Sequence, residues 1–224
     1  GAITSIGDKK LNVMDTSVGR GGDINKFLRS KNEIFFFLGL DISPDVNLAA
    51  KRYYQERMRK PRAMFIQYDT SQSLKEAKGC EGPKARQDKS THMIDILYNR
   101  DKALPKEYRP LVPKFKGLGS KGFNVISSQF TVHYYFKDED TLRGYIQNLS
   151  DNCKTGGYFI GTCYDGMKVF QMLRDKPNHT LDMEDEFGNK VFSLQRKYEI
   201  EDFTYSDNRD NKTDLFGQEI NVYM

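Results

Sequence analysis

The chain has 224 residues, 38% of them hydrophobic, with 35 lysines and arginines against 31 acids for a net charge of +4. That length suits one α/β domain with a sizeable core, and no run approaches the roughly 18 apolar residues of a membrane helix. No signal peptide stands at the N-terminus, and the mild basicity permits an anionic partner such as RNA without demanding one. Cys80, Cys153 and Cys163 are odd in number and form no CxxC pair. This argues against a disulfide framework or a zinc site, and for a reducing intracellular setting.

The first predicted strand runs from Lys10 to Asp15, followed by a glycine-rich turn and a helix from Gly22 to Ser30. Glu33 to Asp41 is apolar almost throughout, as in a strand buried on both faces of a parallel sheet. Ser43-Pro44 opens a second helix running to about Met58, with proline at its first position. Arg62 to Tyr68 forms strand three, ending at Asp69. Residues 79–121 read as an insertion: a polar exposed loop from Gly79 to Lys89, a short helix from Thr91 to Asn99, and a proline- and lysine-rich stretch from Lys102 to Lys121. Those lysines suit either a solvated loop or RNA phosphates. Then come strand four (Phe123 to Ser128), a helix (Glu139 to Asn152), strand five (Gly157 to Thr162) and a helix (Asp165 to Arg174). The tail turns β-like over Lys190 to Ile200 and Phe216 to Met224, with turn residues around Ser206-Asp-Asn between. The alternation predicts one α/β domain over 1–224, a doubly wound, mostly parallel sheet with helices on both faces and an antiparallel C-terminal β region.

The turn in VMDTSVGRGGD (Val13 to Asp23) narrows the ligand. Ile24 stands where a dinucleotide fingerprint needs its third glycine, and no Gly-Lys-Ser/Thr follows, so neither a dinucleotide site nor a P-loop is formed. An acid followed by GxG, Asp15 then Gly19 and Gly21, fits the methyl donor S-adenosylmethionine. Small residues let the backbone approach its carboxylate and sulfonium, and helix N-terminal amides suit the carboxylate. Asp15 can face the donor's amino group, Asp41 its ribose hydroxyls and Asp69 its adenine amino group. A strand-end Asp is usually a cap or turn former, and nicotinamide enzymes also place an acid where Asp41 stands. Three acids at three consecutive strand ends shift the balance towards a site.

FNVISSQFTVHYYF (Phe123 to Phe136) carries strand four into a glutamine, a histidine and several aromatics. Phe130 and Val132 are expected to cover the core. His133, Tyr134 and Tyr135 suit stacking on a flat base, with a structural hydrogen bond at a turn as the alternative for His133. His92 and His179 lie in polar stretches and suggest no site.

Together, VMDTSVGRGGDINKFL, FLGLDIS, FNVISSQFTVHYYF and CKTGGYFIGTCYDG, in that order over residues 10 to 175, resemble the mRNA cap guanine-N7 methyltransferase family. EFGNKVF (Glu186 to Phe192) and LFG (Leu215 to Gly217) resemble two later strands of that family. The insertion ending in LVPKFKGLGSKGF is most like the capping enzymes of large DNA viruses. The resemblance implies a Rossmann-like class I methyltransferase fold. It implies transfer of a methyl group from S-adenosylmethionine to guanine N7 of the cap by in-line displacement, with no acid/base residue and no metal. Asp15, Gly19, Gly21, Asp41, Asp69 and Gln129 would hold the donor. Lys26 either sits near it or is an ordinary solvated helix lysine. His133, Tyr134 and Tyr135 would meet the cap. Capped RNA is the implied partner, with triphosphatase and guanylyltransferase domains in the same polypeptide and no membrane. The implied location is intracellular, in host cytoplasm or virion.

The chain departs from the family's DLGCGKGG at Thr16, Ser17, Val18 and Arg20, and from its proline after strand five in the stretch Thr162-Cys163-Tyr164. A family helix bearing a donor-side lysine would lie before strand one, and a Pro-Glu-(Phe/Tyr)-Leu-Val segment after Met224. The expectation is therefore a fragment of a larger capping enzyme. These departures also motivate the alternative of a non-catalytic methyltransferase-like module that binds the donor, RNA or a partner subunit.

Overall fold

The computed structural model describes residues 10–56, 60–100, 103–199 and 216–223. Five parallel strands form the main sheet: β1 (Lys10–Asp15), β2 (Glu33–Asp41), β3 (Arg62–Gln67), β4 (Phe123–Ser128) and β5 (Cys153–Gly161). Their spatial order is β3-β2-β1-β4-β5, so the winding reverses between β1 and β4. A doubly wound sheet opens a crevice at the carboxyl ends of its strands at such a point.

The helices are α1 (Ile24–Leu28), α2 (Val46–Gln55), α3 (Lys84–Leu97), α4 (Val112–Phe115), α5 (Glu139–Asn152) and α6 (Gly166–Arg174). Strand alternation sends β2 side chains to opposite faces. Phe37 joins Leu11, Val13, Val46, Ala49 and Tyr53 in one buried cluster. Phe36, Leu38 and Leu40 join Met14, Met64, Ile94, Leu97 and Phe123 in the other. All six residues of β4 are buried, the polar Asn124, Ser127 and Ser128 included, because the strand lies between β1 and β5.

Several boundaries differ from the sequence reading. Helix α1 begins two residues late because Gly22 and Asp23 still belong to the turn, which the Ile24 amide closes on the Gly21 carbonyl at 3.4 Å. Helix α2 ends at Gln55, since Glu56 is already extended; Met58 lies outside the described residues. Strand β3 stops at Gln67, and Tyr68 forms an isolated bridge to Cys80. The largest correction is α3, which begins at Lys84 inside the expected exposed loop. Its first two turns are polar, and its buried apolar residues Ile94, Ile96 and Leu97 fall near its end, so apolar periodicity shows only the second half. The expected insertion after it folds as a 3-10 helix over Lys106–Leu111 followed by α4. Strand β5 starts at Cys153, four residues early, through a register shift opposite Phe123 and Val125.

Helix α5 starts where expected because Asp138 caps it, accepting from the Thr141 amide at 2.7 Å. Asp165 does the same for α6 through the Lys168 amide at 3.1 Å. The C-terminal β region is a separate antiparallel sheet of β6 (Thr180–Glu184), β7 (Lys190–Arg196) and β8 (Ile220–Tyr223). It packs through Leu181, Leu194 and Val222 on Val169 and Leu173 of α6. The expected turn at Ser206 and the residues Ile200, Leu215 and Met224 lie outside the described residues.

Candidate donor and cap site

At the carboxyl edge of the sheet, three strands end in the same local device. Asp15, Asp41 and Asp69 each accept from the amide two residues on: Ser17 at 3.1 Å, Ser43 at 2.8 Å and Ser71 at 2.9 Å. An aspartate folded back on the chain in this way turns it sharply out of the strand. The signal in the sequence is Asp-Xaa-Ser three times over, Asp15-Thr16-Ser17, Asp41-Ile42-Ser43 and Asp69-Thr70-Ser71, and strand-end acids alone did not expose it.

The second carboxylate oxygens differ. That of Asp41 accepts from the Gly19 amide at 2.7 Å and pins the glycine turn to β2. Those of Asp15 and Asp69 make no hydrogen bond among the described residues. Asp15 is 3% exposed, and burial pushes its carboxyl up to about 7, with Asp23 and Asp41 adding repulsion against the Ser17 amide's opposing pull. Held near 7, the carboxyl is about half protonated at neutral pH, and a cation placed beside it would favour its ionised form.

The turn itself needs its glycines for different reasons. Gly19 has φ +50° and open space where a side chain would stand, a cradle beside the site. Gly21 has φ +79°, and a Cβ there would lie 2.6 Å from Ile24 Cδ1 and 3.1 Å from Ala49 Cα. Gly21→Ala is therefore expected to lower stability by about 1–3 kcal/mol from backbone strain alone. Urea unfolding of the free protein measures it; an unchanged midpoint would show that the turn relaxes.

A cavity of about 300 Å³ at this edge brings Asp41 and Asp69 together with Tyr134 and Tyr135, along with Ser17, Thr70 and Thr131. Asp15 and Gly19 do not line it themselves: Asp15 directly precedes the lining residues Thr16 and Ser17, and the Gly19 amide is bonded to Asp41. Gly21, Lys26, Gln129 and His133 do not line it. Lys26 is exposed on α1 and pairs with Asp23 at 2.5 Å. Gln129 bridges strand ends, its amide nitrogen donating to Ser127 Oγ at 3.2 Å and the Ile160 carbonyl at 3.4 Å. Its side-chain oxygen accepts from the Thr162 hydroxyl, which takes the Phe130 amide at 2.8 Å.

The residues from Val132 to Lys137 form a 3-10 turn that splits the aromatics into two kinds. Tyr135 stacks flat on Tyr145 with ring centroids 3.5 Å apart, and its hydroxyl meets Thr70 Oγ1 at 2.5 Å. Burial pushes its phenol up to about 12. Tyr134 stands out into solvent at 69% exposure, 4.4 Å ring to ring from His133. His133 lies between Tyr134 and Tyr164, and burial lowers its pKa, so the imidazole is neutral at pH 7. Phe130 corrects the sequence reading. It is 67% exposed with φ +55°, because its amide is held by Thr162 and the left-handed backbone turns the ring away from the core.

The residues that replace the family's turn are paired. Thr16 Oγ1 donates to the Ser127 carbonyl at 3.1 Å and meets the Tyr145 hydroxyl at 3.2 Å. Ser17 Oγ meets Thr131 Oγ1 at 2.7 Å, and Thr131 meets Ser128 Oγ at 2.8 Å. These hydroxyls tie the glycine turn to the segment after β4. Sequence reasoning missed Thr70, Thr131 and Tyr145, because partners 50 to 130 residues apart meet only in the folded sheet. Among the described residues, no group of three or more His, Cys, Asp and Glu could hold a metal, and no helix is long and apolar enough to cross a membrane.

A doubly wound parallel sheet, an acid followed by a glycine turn at its switch point, and acids closing the next two strands define a class I methyltransferase fold. Residues 3–224 match the mRNA (guanine-N(7))-methyltransferase domain, and the chain belongs to that family. It is 28% identical over 196 residues to a probable mRNA-capping enzyme of Acanthamoeba polyphaga mimivirus, covering 83% of this chain and 15% of that one. It is 29% identical over 186 residues to the mRNA cap guanine-N(7) methyltransferase of Cryptococcus neoformans, covering 82% of this chain and 24% of that one. The chain thus spans less than a third of either curated relative. Among solved structures, an S-adenosylmethionine-dependent methyltransferase from Clostridium acetobutylicum aligns at 16% identity and a TM-score of 0.48, over 86% of this chain and 56% of that one.

Proposed function

We propose that this domain transfers a methyl group from S-adenosylmethionine to N7 of the guanine that caps mRNA. The observation that carries this reading is the cavity that sets the strand-end acids Asp41 and Asp69 opposite the aromatic segment of Tyr134 and Tyr135. The residues fit the donor. Asp15 offers a buried, cation-free carboxylate, Gly19 leaves the space a side chain would fill, and Asp69 keeps a free oxygen beside the cavity.

When bound, the donor supplies a methyl already activated on a sulfonium. Guanine N7 carries a free lone pair, so its attack forms the N–C bond while the C–S electron pair returns to sulfur, and no proton has to leave. The chain's task is therefore to hold two flat ligands in line, where good alignment is worth about 7–11 kcal/mol of the barrier. Asp15 answers the donor's cationic amino group, and Asp41 and Asp69 orient its ribose and adenine. Gly19 and Gly21 admit its amino-acid end, and Gln129 fixes the end of β4 beside it. Lys26, exposed on α1 and paired with Asp23, has the weakest claim among the donor-side candidates. Tyr134 offers a free ring face to the guanine, Tyr135 walls the cavity, and neutral His133 supports Tyr134 without adding charge repulsion to the cationic product.

The mimivirus relative and the long segment between β3 and β4 support a finer placement. The domain would be part of a viral, multifunctional capping enzyme, with triphosphatase and guanylyltransferase domains in the same polypeptide, acting inside the host cytoplasm or virion. In that architecture residues 1–224 form the methyltransferase unit and 79–121 its insertion.

The decisive experiment incubates the protein with labelled S-adenosylmethionine and either GpppA-capped RNA or RNA already carrying m7GpppA. Label is expected on the first alone. Equal labelling of both would overturn the N7 assignment. Saturable donor binding without transfer to either RNA would favour the non-catalytic module.

A further inference from the structure

A second, larger cavity of about 430 Å³ opens at the opposite edge of the sheet, where the strands begin. Lys10, Lys31, Lys60 and Arg62 line it, with Glu33 as the single acid and Phe35 between them. Four cations against one acid leave a local charge of +3, in a chain whose net charge is only +4.

Three of these cations, Lys10, Lys60 and Arg62, are held by groups that do not neutralise them. Lys10 Nζ lies 5.7 Å and the Arg62 guanidinium 4.8 Å from the Phe35 ring centroid. Lys60 donates to the Tyr54 carbonyl at 2.7 Å and lies 5.7 Å from the Tyr53 ring and 5.9 Å from the Tyr54 ring. None of the four has an ion pair with a carboxylate among the described residues. Exposed cations elsewhere do: Arg20 with Asp45, Lys84 with Asp88, Arg143 with Glu139 and Lys190 with Asp182. Crowding four cations around one acid costs stability unless an anion shares the site.

We propose that this cleft binds single-stranded RNA, the stretch that follows the capped nucleotide. Cations interleaved with aromatic faces match a chain that alternates phosphates with flat bases, and Tyr54, 64% exposed beside Lys60, extends that surface. An acidic peptide would use the charges and leave the ring faces idle. The choice of RNA rests on the methyltransferase reading. The cap cavity lies at the other end of strands six to nine residues long, roughly 20–30 Å away. A cap dinucleotide bound there cannot reach the cleft, whereas a longer transcript can.

Fluorescence anisotropy with an uncapped 20-nucleotide RNA tests this. Lys31→Glu combined with Arg62→Glu is expected to weaken binding at least tenfold. The slope of log affinity against log salt should flatten by about 1.4, the release expected for two phosphate contacts on a single strand. Lys31→Gln with Arg62→Gln should lose affinity to an intermediate degree. Methyl transfer to the GpppA dinucleotide should be unchanged in both variants, which also shows that they fold. An unchanged affinity and salt slope, or a parent protein that does not bind the 20-mer, would overturn the proposal. So would equal displacement of the RNA by polyglutamate at matched charge, which marks a site for acidic chains. A parent that binds the 20-mer but never methylates GpppA would sink the methyltransferase reading and leave the RNA cleft standing.

Discussion

At pH 8 the Asp15→Asn protein is expected to melt several degrees above the parent, while binding S-adenosylmethionine about 10- to 100-fold more weakly. The two effects share one cause. Burial holds the Asp15 carboxyl at about 7 against an ordinary 3.8. A carboxyl whose pKa is raised on folding contributes its full stability below the unfolded value. It costs progressively more as pH climbs from 3.8 to about 7. Above that window the cost is roughly 4 kcal/mol. Asparagine keeps an oxygen for the Ser17 amide and carries no charge to desolvate. If half of that cost is recovered, the melting temperature rises by about 4–8 °C. At pH 5 the parent pays only about a third of it, so the gap between the proteins should narrow.

Donor affinity should run the opposite way. A charge-assisted hydrogen bond is worth about 1.5–3 kcal/mol, which is the source of the expected loss. The parent's affinity should strengthen about fivefold from pH 6 to pH 7 as Asp15 ionises, and about twofold more by pH 8, where it levels off, while the variant stays flat. Calorimetry of donor binding and a melting series across pH 5 to 8 test both halves. Parental affinity in Asp15→Asn would remove Asp15 from the donor site. Equal melting at pH 8 would show that its carboxyl is not strained by burial.

The second large effect is expected at Tyr134. Its ring is 69% exposed, so Tyr134→Ala should leave stability within about 0.5 kcal/mol and donor affinity unchanged. Stacking on a base is worth about 1–3 kcal/mol, so methyl transfer to capped RNA, read as kcat/KM, should fall roughly 5- to 100-fold. Tyr134→Phe keeps the ring and should retain most of the activity. Tyr135→Ala is the contrast. It removes a ring stacked on Tyr145 and the Thr70 contact, and should destabilise the fold by about 3–5 kcal/mol. If Tyr134→Ala transfers methyl groups at the parental rate, the cap is not stacked on this ring.

Much of this architecture is legible in the chain. The near-uniform apolarity of β2 reflects burial on both sheet faces, and Asp138 and Asp165 mark the starts of α5 and α6 because a cap is a local contact. The acids at Asp15, Asp41 and Asp69 are legible for the same reason, since each completes its turn within two residues. Helix α3 was half hidden because apolar periodicity reports only the part of a helix that touches the core.

What the sequence determined by itself was therefore the strand order's raw material, the turn chemistry and the family, all carried by contacts between near neighbours or by motif spacing. Tertiary structure alone decided the rest. It stacked Tyr135 on Tyr145, turned Tyr134 and Phe130 outward, matched Ser17 to Thr131 across 114 residues, and left Asp15 buried without a cation. It also gathered Lys10, Lys31, Lys60 and Arg62 at one end of the sheet. Their common cause is parallel pairing, which sets the starts of distant strands side by side and their ends likewise, so that burial and charge at each edge are properties of the sheet and of no single segment.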